Sequence, residues 1–72
     1  MKSEIKPFYL MDGQSIKCPV CGKSDLEECD ICQICNWEND IQQYNYPDIG
    51  GGANEMSLNE AREAWKKGEP IT

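Results

Sequence analysis

Cys18-Pro19-Val20-Cys21-Gly22 and Cys32-Gln33-Ile34-Cys35-Asn36 decide the fold of this chain: two C-x2-C pairs with ten residues between them supply four thiolates at the spacing of a tetrahedral metal site. Each pair lets two sulfurs converge from one tight turn. Two such turns on facing strands close a four-sulfur cage, which is the arrangement of a zinc ribbon. The spacing therefore predicts one Zn(II) held by Cys18, Cys21, Cys32 and Cys35.

The residues around the pairs support that ligand set. Cys29-Asp30-Ile31-Cys32 is also a C-x2-C pair, so the fifth cysteine offers a competing choice. In a metal knuckle the residue after the second cysteine turns left-handed so that amide N–H groups point at sulfur, a conformation that Gly and Asn tolerate best. Gly22 follows Cys21 and Asn36 follows Cys35, whereas Gln33 follows Cys32. Cys29 is left over and reads as a small buried strand residue. As a nucleophile it lacks support: the chain has no His to activate it, and Glu28 and Asp30 raise its pKa.

Length and cysteine usage point the same way. A single domain of 72 residues is too short to offset its ordering entropy by apolar burial alone, so a staple is expected. Residues 1–6 are charged and the apolar run Phe8-Tyr9-Leu10-Met11 is too short for a secretory core or a membrane span, so the chain reads as cytoplasmic. Reducing cytosol favours metal thiolates over disulfides, and five cysteines suit four ligands plus one. Four protein sulfurs fill a tetrahedral zinc and leave no position for an activated water, which predicts a structural site and no enzyme. The same ligands can hold one Fe, as in rubredoxin, though rubredoxins space their pairs more widely.

Charge limits the partners. The formal net charge is −6; four bound thiolates add −4 and a zinc(II) ion +2, taking the loaded form to −8. Nine carboxylates and no Lys or Arg lie between Ser24 and Ala61. Nucleic acid and anionic membrane both require basic residues, so neither is an expected partner. The expected partner is a basic protein, met by an acidic and aromatic surface comprising Glu38, Asp40, Tyr44, Tyr46 and Asp48. Solubility alone is the plainer account of the acids, and Tyr44 and Tyr46 serve equally well as core cover; Trp37 reads as core.

The rest of the chain divides readily. Residues 1–17 are a lead-in in which Phe8-Tyr9-Leu10-Met11 can pack as a strand before an Asp12-Gly13 turn. Residues 18–40 are the ribbon module, with a short hairpin expected in residues 23–31 between the knuckles. Residues 41–56 read as a Gly-rich loop. Gly50-Gly51-Gly52 lacks the Lys-Ser/Thr of a phosphate loop, so close backbone packing explains it better. Residues 57–68 form a capped helix: Ser57-Leu58-Asn59-Glu60 has the form of a capping box, Met56 can staple against Ala61, and Leu58, Ala61 and Trp65 make one apolar stripe. Lys66 and Lys67 suit the negative end, which Gly68 can close. The fold class is a small metal-stabilised α+β domain, two cysteine knuckles on a short β-hairpin followed by a C-terminal helix.

These motifs in this order resemble the small bacterial cysteine-rich CPCC proteins. The resemblance is carried by Cys18-Pro19-Val20-Cys21-Gly22, Ile31 to Asp40, Pro47-Asp48, Gly51-Gly52-Ala53-Asn54 and Ser57 to Arg62. Val20 stands where the family's extra cysteine lies, which implies that the missing sulfur is not an essential ligand. Gln33 and Asn36 replace a usual proline and aromatic, and Cys29 replaces an aromatic strand residue. The resemblance implies a metal ribbon plus helix. Some members look like immunity-type proteins beside toxin genes, which implies a role as an immunity or inhibitor protein for a basic partner.

Overall fold

The computed structural model describes residues 13–72; the strand expected at Phe8-Tyr9-Leu10-Met11 lies outside the described residues. Strands β1 (Ile16–Lys17) and β2 (Asp25–Leu26) pair antiparallel, Ile16 opposite Leu26 and Lys17 opposite Asp25. The first cysteine turn is the tip of this hairpin. Lys17 Nζ reaches Asp25 Oδ1 at 3.2 Å, an exposed pair that contributes little. The second cysteine turn is closed by a single antiparallel bridge between Ile31 and Glu38.

The hairpin expected between the knuckles is thus replaced by two, each carrying one knuckle at its tip. The physical reason is a tight turn where the second strand was expected. Asp30 Oδ2 accepts the Glu27 N–H at 2.9 Å, the Asp30 N–H returns to the Glu27 carbonyl at 3.1 Å, and Cys29 takes a left-handed φ of 68°. Cys29 is accordingly exposed, not a buried strand residue.

Within the stretch read as a loop, residues 41–45 form a helix of one turn and a half, α1 (Ile41–Asn45). Asp40 caps it, its side chain accepting the N–H groups of Gln42 and Gln43. Five residues are too few to show a helical apolar stripe in sequence. Helix α2 (Leu58–Lys67) has the expected bounds and cap: Ser57 Oγ accepts the Glu60 N–H at 3.1 Å, Glu60 Oε1 accepts the Ser57 N–H at 2.9 Å, and Gly68 closes the helix at φ 74°.

One core joins these parts. Cys18, Leu26, Cys32, Cys35, Trp37, Leu58, Ala61, Ala64 and Ile71 form a single buried cluster, with Met56 and Trp65 half-buried against it. Trp37 is wholly buried. The inner face of α2 is thus Leu58, Ala61 and Ala64, with Trp65 at its margin. The Gly-rich loop packs by backbone, as a Cβ at Gly50 would stand 2.6 Å from the Glu55 carbonyl and one at Gly52 2.7 Å from Asp40 Oδ2. Buried side chains hold that loop: Gln43 Nε2 donates to the Ile49, Asn54 and Met56 carbonyls at 3.1 Å, and Asn54 Nδ2 donates to Gln43 Oε1 at 2.9 Å. Among the described residues no helix is long and apolar enough to cross a membrane.

Candidate metal centre

Both cysteine turns fold by the same local device. In the first, the Gly22 N–H donates to the Cys18 carbonyl at 2.9 Å and the Cys18 N–H to the Ser24 carbonyl at 2.8 Å. In the second, the Asn36 N–H donates to the Cys32 carbonyl at 2.9 Å and the Cys32 N–H to the Trp37 carbonyl at 2.8 Å. Gly22 and Asn36 are left-handed, with φ of 71° and 75°. These turns aim amides at sulfur: Lys23 N–H at Cys21, Ile34 and Cys35 N–H at Cys32, and Trp37 N–H at Cys35.

The two knuckles face each other so that the sulfurs of Cys18, Cys21, Cys32 and Cys35 all lie within 4.8 Å of one another. Across the knuckles, Cys18 Sγ stands 3.5 Å from Cys35 Sγ and Cys21 Sγ 3.7 Å from Cys32 Sγ. A disulfide requires about 2.0 Å, so these contacts are not bonds. A tetrahedron of sulfurs around an ion at about 2.3 Å has edges of about 3.8 Å, so the four sulfurs fit a metal ion with only small adjustment. Cys29 lies outside the cluster and is exposed.

The cage is electrostatically uneven. Burial works against the Cys32 thiolate, but the Ser24 hydroxyl, the Cys35 and Ile34 amides and the Cys21 thiol outweigh it and bring the Cys32 thiol down to about 6. The Ser24 hydroxyl lies 3.2 Å from Cys32 Sγ. Burial pushes the Cys35 thiol far up, reinforced by Cys18, and burial also raises Cys21. Such a mixture of willing and unwilling thiols at van der Waals distance is the donor set that a divalent cation neutralises. Four sulfurs would occupy every position of a tetrahedral ion, and the ion would supply a cross-link between the two hairpins.

Several supporting residues escaped sequence reading. Ser24 reaches Cys32 from the other hairpin. Arg62 Nε donates to the Pro19 carbonyl at 2.8 Å, tying α2 to the first knuckle across 43 positions. Asn36 Nδ2 donates to the Ile71 carbonyl at 3.3 Å, tying the second knuckle to the segment after α2. A lone Ser or Arg carries no local pattern, so only the fold reveals these pairings.

The residues expected to meet a partner do not share one task. Asp40 is engaged within the chain: its Oδ1 accepts from Gln42 and Gln43 and its Oδ2 from the Ala53 N–H at 3.0 Å. Asp48 Oδ1 accepts from Asn59 Nδ2 at 2.6 Å. Glu38 is half-buried at the bridge, Tyr44 is half-buried against the core, and Tyr46 is 59% exposed. Asp40 and Tyr46 share the lining of a hollow of about 400 Å³ with Glu28, Cys29 and Ile41.

The model of the family described as cysteine-rich CPCC matches residues 16–68, a span that includes both knuckles and α2. No curated protein matches the chain.

Proposed function

We propose that this chain, which belongs to the cysteine-rich CPCC family, is a non-enzymatic module stabilised by one zinc ion that binds a basic protein, in its most specific form an immunity or inhibitor protein. The convergence of four cysteine sulfurs within 4.8 Å carries the metal part of this reading. All four donors come from the protein, so the ion has no open position at which to bind and activate a substrate. Zinc is favoured over iron because the two pairs stand closer in sequence than those of rubredoxin, at the spacing of a zinc ribbon. Free thiols in such a site belong in a reducing compartment, which favours the cytoplasm.

The partner reading is supported by charge. A chain with net charge −6 and no cation between Ser24 and Ala61 attracts and orients a basic protein and repels nucleic acid. Native mass spectrometry of the chain isolated gently from its own cells tests both halves. One zinc per chain with a stoichiometric basic protein is the expected result. Iron in place of zinc would replace this reading with electron transfer, and a stoichiometric acidic companion would overturn the charge argument. Charge reversal at exposed Glu27 and Glu28 is expected to slow association and flatten its salt dependence. Those positions serve better than Asp40, whose reversal would also remove the cap of α1.

A further inference from the structure

The second metal turn presents apolar side chains to water that the fold does not use. Ile31 and Ile34 are each 50% exposed and stand outside the buried cluster, which is complete without them. With Trp65, Pro70 and Ile71 they line a groove of about 610 Å³, larger than the hollow beside α1. One wall is the knuckle itself, with Ile34 at its tip between two metal-site cysteines. The opposite wall is the last turn of α2 and the segment after Gly68, joined to the knuckle by the Asn36 to Ile71 hydrogen bond. Single exposed apolar residues are ordinary, but a contiguous set around a concavity marks a contact surface.

Charge selects what enters. The lining contains one charged side chain, Glu69, and no cation. At the far rim Glu38 pairs across from Ile31. Of the cations nearest in sequence, Lys66 points Nζ to within 3.7 Å of Glu63 Oε2 and Lys67 lines a separate hollow with Met56. Ile31, Ile34 and Trp65 bordered by Glu69 and Glu38 are complementary to an apolar side chain flanked by Lys or Arg.

We propose that this groove is the docking site of the module, and that its occupant is a segment of a basic partner protein which inserts an apolar side chain among Ile31, Ile34 and Trp65 while flanking cationic residues meet Glu69 and Glu38. The proposal rests on the basic-partner reading above and moves its centre from the Asp40 and Tyr46 face to the second knuckle. It also gives the metal a functional consequence, because the knuckle that the ion holds is one wall of the site.

The test is an NMR titration of the full zinc-loaded chain with two synthetic peptides, leucines flanked by lysines and the same leucines flanked by glutamates. Saturable shifts in residues 31–36, residues 68–71 and the Trp65 indole, with the lysine peptide alone, are expected. Ile34→Ser is expected to weaken that binding about tenfold, the effect of losing one buried aliphatic contact, while keeping zinc stoichiometry and spectral dispersion. Lysine-peptide binding centred on Glu28, Ile41 and Tyr46 would overturn the groove and leave the basic-partner reading standing. No saturable binding of that peptide anywhere at millimolar concentration would count against both. Equal binding of the glutamate peptide in the groove would overturn the stated occupant. So would peptide-free contacts from Ile34 to residues 8–11 of the same chain, or concentration-dependent shifts at Ile34 that name a second copy.

Discussion

The two cysteine knuckles share one backbone geometry and differ in everything that surrounds it. The first stands on a paired hairpin, with Cys18 3% exposed and Cys21 half-exposed, Lys17 and Lys23 beside it in sequence and Arg62 bound to its Pro19 carbonyl. The second is closed by a single bridge, yet its Cys32 and Cys35 are 1% and 6% exposed, and the wholly buried Trp37 follows them. The same four-residue motif therefore buries one cysteine and leaves the other half-exposed in one place, and buries both in the other. A motif specifies how sulfurs are aimed, and burial decides how much of the molecule depends on them.

Losing a ligand is the strongest way to break this comparison. Binding of a structural zinc contributes on the order of 10–16 kcal/mol, more than a chain of this size obtains from burial. Cys32→Ser is expected to leave the chain unfolded by circular dichroism. Cys21→Ser, at the half-exposed corner where water can take the fourth position, is expected to retain a weaker ion and a lower melting transition. Equal behaviour of the two variants would show that the knuckles are interchangeable. Removing the ion from the native chain with a chelator is expected to reproduce the Cys32→Ser result.

Acid should act on both knuckles, in steps. Before loading, Cys21 in the first and Cys35 in the second hold protons through neutrality, because burial raises both, whereas Cys32 is ionised above about pH 6. Binding must expel at least those two protons, so affinity is expected to rise by at least about 100-fold per pH unit from pH 7 to 8, read by chelator competition. Going down through about pH 6, Cys32 also takes up a proton and the fall steepens. A slope near one proton would mean that a single knuckle is preloaded.

Smaller substitutions sharpen the contrast. Gly22→Ala meets no atom within 4 Å and costs only the left-handed backbone, about 1–2 kcal/mol. Asn36→Ala costs less in the backbone, because Asn36 already carries a Cβ at φ 75°, but loses the hydrogen bond to Ile71, ~0.5–1.5 kcal/mol, so the two variants are expected to lose similar stability in thermal denaturation for different reasons. Arg62→Ala is the mildest: hydrogen exchange at Val20, Cys21 and Gly22 is expected to quicken by at most about fivefold, with residues 32–36 unchanged.

Much of this architecture was legible because its signals are local. A capping box is complete within four residues and a knuckle within five, so α2 and both metal turns could be read from side-chain chemistry alone. What failed was the reading of segments whose conformation is imposed from a distance. Cys29 was expected in a strand, but an Asp30 turn and a bond from its N–H to the Asn39 carbonyl make it a left-handed surface residue. Helix α1 carries no periodic pattern and is held by Asp40 and by Gln43, which is fastened to a loop eleven residues on. Asp40 itself looked like a free acid and is a cap.

By itself the sequence determined that four cysteines aim their sulfurs inward from two turns, that Gly22 and Asn36 permit those turns, and that Ser57 to Gly68 is a helix, since each follows from short-range sterics and hydrogen bonding. Only the tertiary structure decided which cysteines are buried, which sulfur Ser24 reaches, which carboxylates are engaged within the chain, and that Ile31, Ile34 and Trp65 meet around one groove. Those outcomes depend on how two hairpins, a helix and the segment after it share a single small core, and no residue carries that information alone.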